Sequence, residues 1–197
     1  MTEGHRASGG WRFPPERRHA LWDEDRQKRL PPEPVLAAAI EPGMTVVDVG
    51  AGTGFWVPPL STAMGPGGRV IAADVEPLMV TDLRTLIHER GLTNVEAVQS
   101  DEYHVPVADR TADAALLAFV LHEPPDPAAL VREISRLLKP VGRVLVVEWQ
   151  KRETEIGPPV EHRLSSEETR SLLAAEGYRV EPIASPHDDL YVLLGTR

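Results

Sequence analysis

The sequence predicts an α/β protein whose core is a doubly wound, mostly parallel β-sheet, and two observations lead to this prediction. From Pro31 onward, short apolar segments typical of buried strands alternate with segments of helical periodicity. Such alternation is typical of a parallel sheet, in which a helix connects each strand to the next. The last two predicted strands, at 178–184 and 190–196, have no helix between them. They can therefore pair only as an antiparallel hairpin, because a parallel connection needs a crossover of about a dozen residues or more.

The first half of the domain is expected to supply three strands and three helices. Apolar runs with few polar residues predict strands at 44–49, 69–73 and 95–99. Helices are expected at 32–40, 55–64 and 77–90. In the second of these, Pro58 and Pro59 should confine the regular part to the residues after them. Gly91 should end the third at its C′ position.

The second half adds two more parallel strands, at 113–119 and 143–149, and two helices. One helix begins with Asp126 as N-cap and Pro127 as its first residue. Its apolar residues recur on one face, and Pro140 should stop it. The other helix begins with a capping box of Ser165 and Glu168 and ends at Gly177.

Composition limits the class of protein before any motif is considered. The 197 residues suffice for one domain, and a net charge of −9 argues against binding to nucleic acid. The absence of cysteine excludes disulfides, cysteine-ligated zinc, iron–sulfur clusters and thiol nucleophiles. No membrane-length apolar run and no signal-peptide core are found, so we expect a cytoplasmic protein. The oligomeric state stays open between monomer and homodimer.

Residues 1–30 form a separate segment, here called the arm, and residues 31–197 form the domain. The arm has seven basic residues against five acids and contains Trp11, Phe13 and Trp22. Pro15 favours a helix from 15 to about 29. Two interpretations are open: the aromatic residues pack on the domain as a peripheral arm, or the arm is a lid over an active site. Because termini are usually peripheral, the first is favoured.

Three glycines mark a candidate ligand site directly after the first strand. The segment Val46–Gly54 reads VVDVGAGTG, so the glycines stand at spacing two. Glycine lets the chain turn sharply and lets a ligand touch the backbone. The helix that follows offers free N–H groups and the positive end of its dipole. Because this loop lies at the carboxyl edge of a parallel sheet, it is the expected place for a ligand.

Three carboxylates at the ends of successive strands strengthen this interpretation. Asp74 ends the second strand, where it would lie beside the loop at the distance of a ribose. Asp101 follows the third strand and could reach an adenine amino group. Asp48 precedes the loop, where its charge suits an ammonium and opposes a pyrophosphate. A dinucleotide site prefers G-x-G-x-x-G and a P-loop ends in G-K-[ST], whereas this loop is G-x-G-x-G. These features fit a ligand with adenine and ribose at one end and an amino acid at the other.

With these motifs, the stretch from Val35 to Arg197 resembles class I S-adenosylmethionine-dependent methyltransferases. It is most similar to the small single-domain branch that includes ubiquinone/menaquinone-type C-methyltransferases. The matching motifs are VVDVGAGTGFW, VIAADVEPLM, SDEYHVPVADRTAD, AFVLHEPPDP and LVREISRLLKPVGRVLVVEW. They are specific for the cofactor and nearly silent on the methyl acceptor. One departure is Val141, which stands where the family usually has the first of two glycines.

The resemblance implies the cofactor, the strand order and the residues that bind the cofactor. The cofactor would be S-adenosyl-L-methionine, with no metal. The fold would be a Rossmann-like seven-stranded sheet of order 3-2-1-4-5-7-6 with an antiparallel last strand. The cofactor-binding residues would be Asp48, Gly50, Ala51, Gly52, Gly54, Asp74, Val75, Asp101, Glu102, Ala118 and Phe119.

The methyl acceptor is a small molecule that the sequence does not identify, and the methylated atom could be O, N or C. A base is needed only if the acceptor must lose a proton. The first candidate for this base is His122, followed by Glu148 and His162. Each also has a structural interpretation; Glu148, for example, could pair with Arg163. Two other functions stay open: a binding module that senses the cofactor without catalysis, and an NAD-dependent oxidoreductase, which the loop spacing and the hairpin argue against.

Overall fold

A computed structural model describes residues 11–22 and 30–197 of the chain. The strands are β1 (Thr45–Val49), β2 (Arg69–Asp74), β3 (Val95–Gln99), β4 (Ala112–Ala118), β5 (Leu138–Trp149), β6 (Arg179–Ile183) and β7 (Leu190–Thr196). The helices are α1 (Pro32–Leu36), α2 (Val57–Met64), α3 (Pro77–Glu89), α4 (Pro127–Leu137) and α5 (Ser166–Ala175). Short 3-10 helices occupy Pro15–Trp22 and Val160–His162.

The seven strands form one sheet in the order β3-β2-β1-β4-β5-β7-β6, which confirms the predicted fold class. β1 pairs in parallel with both β2 and β4, and β4 pairs in parallel with β5. β7 runs antiparallel to β5 on one side and to β6 on the other. The terminal hairpin predicted from the missing crossover helix is therefore present, and it places β7 inside the sheet beside β5.

Helices cover both faces of the sheet, and each face has its own apolar core. Alternate residues of a strand point to opposite faces, so Val46 and Val47 belong to different clusters. On one face, Val47 shares a cluster with Ile134 of α4. On the other, Val46 shares a cluster with Leu36 of α1 and Leu60 of α2. Because the central strands are buried on both sides, their polar ends at the carboxyl edge are where a ligand can bind.

The local signals for helix ends are mostly confirmed. The Asp126 side chain accepts a hydrogen bond from the Ala129 backbone N–H at 3.0 Å. Ser165 and Glu168 form the predicted capping box in both directions. In the part of the chain that the structure describes, no helix is both long and apolar enough to cross a membrane.

The predicted start of β5 at residue 143 and the predicted helix stop at Pro140 are wrong: β5 begins at Leu138 and includes Pro140, and helix α4 already ends at Leu137. The physical reason is that the residue before a proline favours an extended conformation, so the chain leaves the helix before Pro140.

Three further differences from the prediction concern helices. Helix α2 includes Pro58 and Pro59, because proline is tolerated in a first turn, where backbone N–H groups have no helical partner anyway. Helix α1 ends at Leu36, four residues early. In the arm, Pro15–Trp22 is a 3-10 helix, and the rest of the helix expected to reach about residue 29 lies outside the described residues.

The depth of the core yields a stability prediction. Leu145 of β5 is fully buried, whereas Val141 of the same strand is 79% exposed. Truncating Leu145 removes core contacts and leaves a cavity, so Leu145→Ala should lower the free energy of unfolding by about 2–5 kcal/mol. The matched change Val141→Ala should alter it by less than about 0.5 kcal/mol. Urea unfolding of both variants checks this, and equal effects would contradict the packing described here.

Candidate functional site

A cavity of about 800 Å³ opens at the carboxyl edge of the sheet. Its floor is the glycine loop after β1 together with the ends of β2 and β4. Its roof is arm segment 11–21, and the loop after β5 closes one side through residues 155–158. This volume lies in the range of about 300–1,000 Å³ that is typical of sites for small molecules and cofactors.

The glycine loop adopts backbone conformations that require glycine. Gly50, Gly52 and Gly54 all have positive φ, at 72°, 57° and 94°. A Cβ atom on Gly50 would lie 2.5 Å from a methyl carbon of Val120, the residue that packs against the loop from the β4 end. The loop is fixed to β2 by hydrogen bonds of 2.9–3.0 Å from the N–H groups of residues 50 and 51 to the Ala73 carbonyl. The loop therefore presents bare backbone to the cavity.

Asp74 lies beside this loop, as its position at the end of β2 predicted. One carboxylate oxygen accepts a hydrogen bond from the Gly52 N–H at 2.7 Å, and the other accepts from the Glu76 N–H at 2.9 Å. Burial raises the pKa of Asp74, against these two hydrogen bonds, which lower it. Because each carboxylate oxygen can accept more than one hydrogen bond, Asp74 keeps acceptor capacity toward the cavity.

Asp48 lies beneath the loop and not on the cavity wall. Both of its carboxylate oxygens are buried and have no hydrogen-bond partner among the described residues. Burial, with a smaller contribution from Asp74, raises the pKa of Asp48 to about 8. A buried carboxyl group without partners is costly, so this position calls for a further polar partner such as a ligand group or a water.

Most of the other residues expected to bind the cofactor also meet at this cavity. Its lining includes Gly50, Ala51, Gly52, Asp74, Val75, Asp101, Glu102, Ala118 and Phe119. Gly54 does not line it, because it faces α3: a Cβ there would lie within 2.9 Å of the side chains of Leu83 and Leu86. Phe119 has a positive φ of 61°, a strained conformation for a residue with a side chain.

His122 and Glu148 form a buried pair at the ends of β4 and β5. The Nδ1 atom of His122 lies 2.9 and 2.8 Å from the two carboxylate oxygens of Glu148. Glu148 also accepts a hydrogen bond from the Leu121 N–H at 3.0 Å. Since an ionised carboxylate only accepts, His122 must donate through Nδ1–H. The second ring nitrogen, Nε2, is buried and has no hydrogen-bond partner among the described residues.

The Glu148 carboxylate also sets the charge state of the imidazole. Burial alone lowers the pKa of His122, but the attraction and hydrogen bonding of Glu148 outweigh it, and the net shift is upward. His122 lines the cavity, and the ring of Trp11 covers it at 5.5 Å between ring centroids. A carboxylate that orients one ring nitrogen and leaves the other without a partner is an arrangement that can serve a general base.

The other two candidate bases occupy different places. Glu148 does not line the cavity but lies behind His122. His162, in the short 3-10 helix after β5, does not line the cavity either. The pairing of Glu148 with Arg163, one of the structural alternatives, is not formed, because the Arg163 guanidinium bonds to backbone carbonyls of its own loop.

Sequence reasoning missed the arm residues that take part in the site. Arg12 forms an ion pair with Glu102 at 2.6 Å, and the Phe13 N–H donates to Glu123 at 3.1 Å. Burial raises the pKa of Glu123 to about 7, although the neighbouring His122 charge opposes this. The basic and aromatic composition of the arm was the only signal for these contacts, and composition does not reveal which acids it meets.

Comparison with known proteins decides the family. The sequence profile described as "Methyltransferase domain" matches residues 47–146. A solved structure, an S-adenosylmethionine-dependent methyltransferase from Aquifex aeolicus, is 34% identical with a TM-score of 0.89. The match covers 94% of this chain and 99% of that one.

The chain belongs to the class I S-adenosylmethionine-dependent methyltransferases.

Two curated relatives place this methyltransferase near a branch of the family. A demethylmenaquinone methyltransferase from Geobacillus sp. (strain WCH70) is 32% identical over 132 residues, which cover 67% of this chain and 53% of the relative. The ubiquinone/menaquinone biosynthesis C-methyltransferase UbiE from Shewanella oneidensis is 36% identical over 123 residues, covering 62% and 49%. The chain thus spans about half the length of the curated relatives it matches.

The residues at the sheet edge fit S-adenosylmethionine, the cofactor of this family. Gly50 packs directly against the Val120 side chain, which holds the loop backbone at the edge of the cavity. The buried Asp48 carboxyl group has no hydrogen-bond partner among the described residues, and the Asp74 carboxylate can accept hydrogen bonds from hydroxyl groups. The site contains no basic residue in its glycine loop, which agrees with a ligand that carries no phosphate. Membership of the family also overrules the NAD-dependent alternative.

The tight packing of Gly50 against Val120 can be tested by comparison with a glycine that has open space around it. Gly50→Ala places a Cβ atom against Val120 in addition to its positive φ, whereas Gly43 has a positive φ of 85° and open space around it. Gly43→Ala should lower the free energy of unfolding by about 1 kcal/mol from backbone strain alone. Gly50→Ala should cost a further 1–3 kcal/mol or so from overpacking, and it should weaken S-adenosylmethionine binding.

Urea unfolding and calorimetry with S-adenosylmethionine measure both effects. Adding Val120→Ala to Gly50→Ala should recover only part of the steric cost, since it removes the methyl carbon at 2.5 Å but leaves the Val120 Cβ at 2.8 Å. If the Gly43 and Gly50 variants lost the same free energy of unfolding and bound S-adenosylmethionine equally well, the tight packing of Gly50 would be contradicted.

Proposed function

We propose that this methyltransferase acts on a small planar aromatic molecule with an ionisable hydroxyl group, and that His122 removes the hydroxyl proton. The ring of a reduced quinone is the member of this class that the names of the relatives suggest. The observation that carries the proposal is the unpartnered Nε2 of His122, which belongs to a side chain lining the cavity and is oriented by Glu148.

The cofactor would be held by the acids and backbone groups of the sheet edge. Asp74 is suited to the ribose hydroxyls, and Asp101 with Glu102 is suited to the adenine end. The glycine loop and Asp48 beneath it suit the amino-acid end, where the cofactor has an ammonium group. When bound, S-adenosylmethionine supplies a methyl group already activated by its positively charged sulfur. What this chain must add is alignment, a dry site and, for a hydroxyl-bearing acceptor, a base.

The paired histidine is suited to deprotonating a phenolic hydroxyl. In the neutral ring, Nδ1–H points to Glu148, so the lone pair of Nε2 is the one available to accept a proton. The imidazolium that forms is stabilised by the carboxylate behind it. Loss of the hydroxyl proton raises electron density on the oxygen and on the ring carbons next to it, so either becomes a better nucleophile. An acceptor that is already a free nucleophile would need no such pair.

Aromatic side chains form the walls near the base. Trp11 packs on His122, and Phe119 packs on Trp149 with 5.4 Å between ring centroids. All four of these residues line the cavity, as does Phe13. Aromatic rings favour stacked or edge-to-face contact with another planar ring, worth about 0.5–1.5 kcal/mol beyond burial. The walls therefore favour a planar acceptor over a flexible aliphatic one.

We further propose that arm segment 11–22 acts as a lid. The interpretation that it is only a peripheral arm accounts less well for its contacts. Trp22 donates through its indole N–H to the Thr53 carbonyl of the glycine loop at 3.2 Å, and Arg18 pairs with Asp82 of α3 at 2.6 Å. The same segment thus touches both the cofactor loop and, through Trp11, the candidate base.

Activity on a defined acceptor tests the function directly. The enzyme should methylate 1,4-naphthalenediol kept reduced by dithionite, with S-adenosylmethionine as donor and the product identified by mass spectrometry. His122→Gln should lower kcat by about 10²–10⁴, the usual contribution of a general base, and leave S-adenosylmethionine affinity unchanged. His162→Gln, outside the cavity, should leave kcat unchanged. If phenols, catechols and quinols all failed as substrates, the proposed acceptor class would be wrong.

The pH dependence of the rate tests the role of Glu148. Because the base must be neutral, kcat/KM should rise with pH through the pKa of His122, which lies above the ordinary 6.5. In Glu148→Gln the carboxylate is gone, and burial, together with the charge of Arg163, outweighs the attraction of Glu123 that remains, so the rise should move to lower pH while the maximal rate falls. A wild-type profile that rises below pH 6.5, or one that Glu148→Gln leaves in place, would contradict the pairing.

A further inference from the structure

A buried arginine that belongs to neither the cofactor site nor the base holds together one wall of the cavity. Arg163 follows the Val160–His162 3-10 helix and is only 3% exposed. No carboxylate forms an ion pair with it in the described part of the chain. Its guanidinium has five N–H donors, and the side chain makes five hydrogen bonds, all within residues 150–158. The acceptors are the carbonyls of Gln150, Arg152, Ile156 and Pro158 and the hydroxyl of Thr154.

These bonds gather the loop after β5 around a single side chain. The distances are 2.8 Å to Pro158, 3.0 Å to Gln150 and 2.8 Å to Arg152. The loop between them has no regular secondary structure apart from turns and bends, so its carbonyl groups have few backbone partners of their own. Arginine is suited to this task because its planar fork donates in several fixed directions at once.

The loop gathered in this way is part of the acceptor side of the cavity. Ile156, Gly157 and Pro158 line the cavity together with Trp149 at the end of β5. The Arg163 guanidinium carbon lies 5.5 Å from the centroid of the Trp149 ring. Gly157 is pressed between the two: at a φ of 111°, a Cβ atom would lie 2.9 Å from Arg163 Nη2 and from Trp149 Cδ2.

We propose that Arg163 is a positioning residue that sets the shape of the acceptor site, by holding loop 150–158 and the Trp149 ring as one wall. This inference rests on the proposed function for the identity of the acceptor, although the role of Arg163 in the loop does not. Arg163 acts through Trp149 and the loop and itself does not line the cavity. Arg163 therefore influences which acceptor fits the cavity and how that acceptor is aligned, and it does not affect the cofactor site.

The main variant is Arg163→Lys, which keeps the positive charge but loses the planar guanidinium group and its several fixed N–H donors. Arg170→Lys is the matched control, because Arg170 lies on α5 and bonds to Glu167 and to the Val180 carbonyl outside the cavity. Arg163→Lys should raise the KM for 1,4-naphthalenediol about tenfold or more, since small misplacements of a positioning element are costly. The dissociation constant for S-adenosylmethionine should stay within about twofold, because the fork does not touch that site.

Loop order gives a readout that does not depend on the acceptor. Lys151 and Arg152 are exposed trypsin sites within the loop, with side chains 37% and 56% exposed. Freed from Arg163, the loop should be cleaved at these sites about tenfold faster under native conditions, as expected when local opening becomes easier. Arg170→Lys should leave that rate as in the wild type.

A second variant tests the same contact if Arg163→Lys fails to fold. Gly157→Ala disturbs the same contact from the opposite side, and Gly65→Ala is its control because Gly65 has a φ of 63° and open space around it. Gly157→Ala should reproduce both the KM change and the faster cleavage, and Gly65→Ala should show neither.

The outcomes separate the two proposals. Unchanged cleavage and unchanged KM in both variants would overturn the role of Arg163, as would faster cleavage with an unchanged KM. A loss of S-adenosylmethionine affinity as large as the rise in KM for the acceptor would also overturn it, because the substitution would then disturb the whole cavity and not the acceptor side alone. If the wild type methylated no aromatic acceptor, the proposed function would fail, and the cleavage rates alone would decide whether Arg163 holds the loop.

Discussion

The hydrogen bonds between Glu148 and the end of β4 are the interaction on which the site depends. β4 and β5 pair in parallel, with Ala118 opposite Val147, so the residues that follow each strand meet at one edge. The Glu148 carboxylate receives the Leu121 N–H and the His122 ring and so fixes the turn after β4. A carboxylate buried to this degree is stable only because its oxygens are bonded. That constraint makes the histidine available at a defined place in the cavity.

Around this pair the site divides into three regions with different origins. The cofactor side is built from the sheet itself, from the glycine loop and the ends of β2 and β3. The proposed base, His122, lies in the turn after β4, and its partner Glu148 lies near the end of β5. The proposed acceptor side is lined mainly by parts outside the sheet, namely the arm and the loop after β5. Loops on a rigid scaffold are where substrate choice usually varies, whereas the cofactor site is part of the scaffold itself.

The sequence was most informative where local chemistry decides the structure. Helix caps at Asp126 and Ser165 and the terminal hairpin could be predicted because each depends on nearby residues. The end of α2 nearest the loop was misjudged, because two prolines were treated as breakers although they stand in a first turn. The relation between His122 and Glu148 was out of reach, since 26 residues separate them and only the strand register brings them together. The sequence could rank His122 ahead of His162, but only the structure places His122 in the cavity wall and His162 outside it.

The central claim is that Glu148 holds His122 with a proton on Nδ1 and a free Nε2. Nitrogen-detected NMR of protein labelled at its histidines, with the His122 signals assigned by loss in His122→Gln, measures this directly. We expect the neutral ring to carry its proton on Nδ1 and to titrate with a pKa above 6.5, because Glu148 outweighs burial. A ring protonated on Nε2, or a pKa below 6.5, would contradict it.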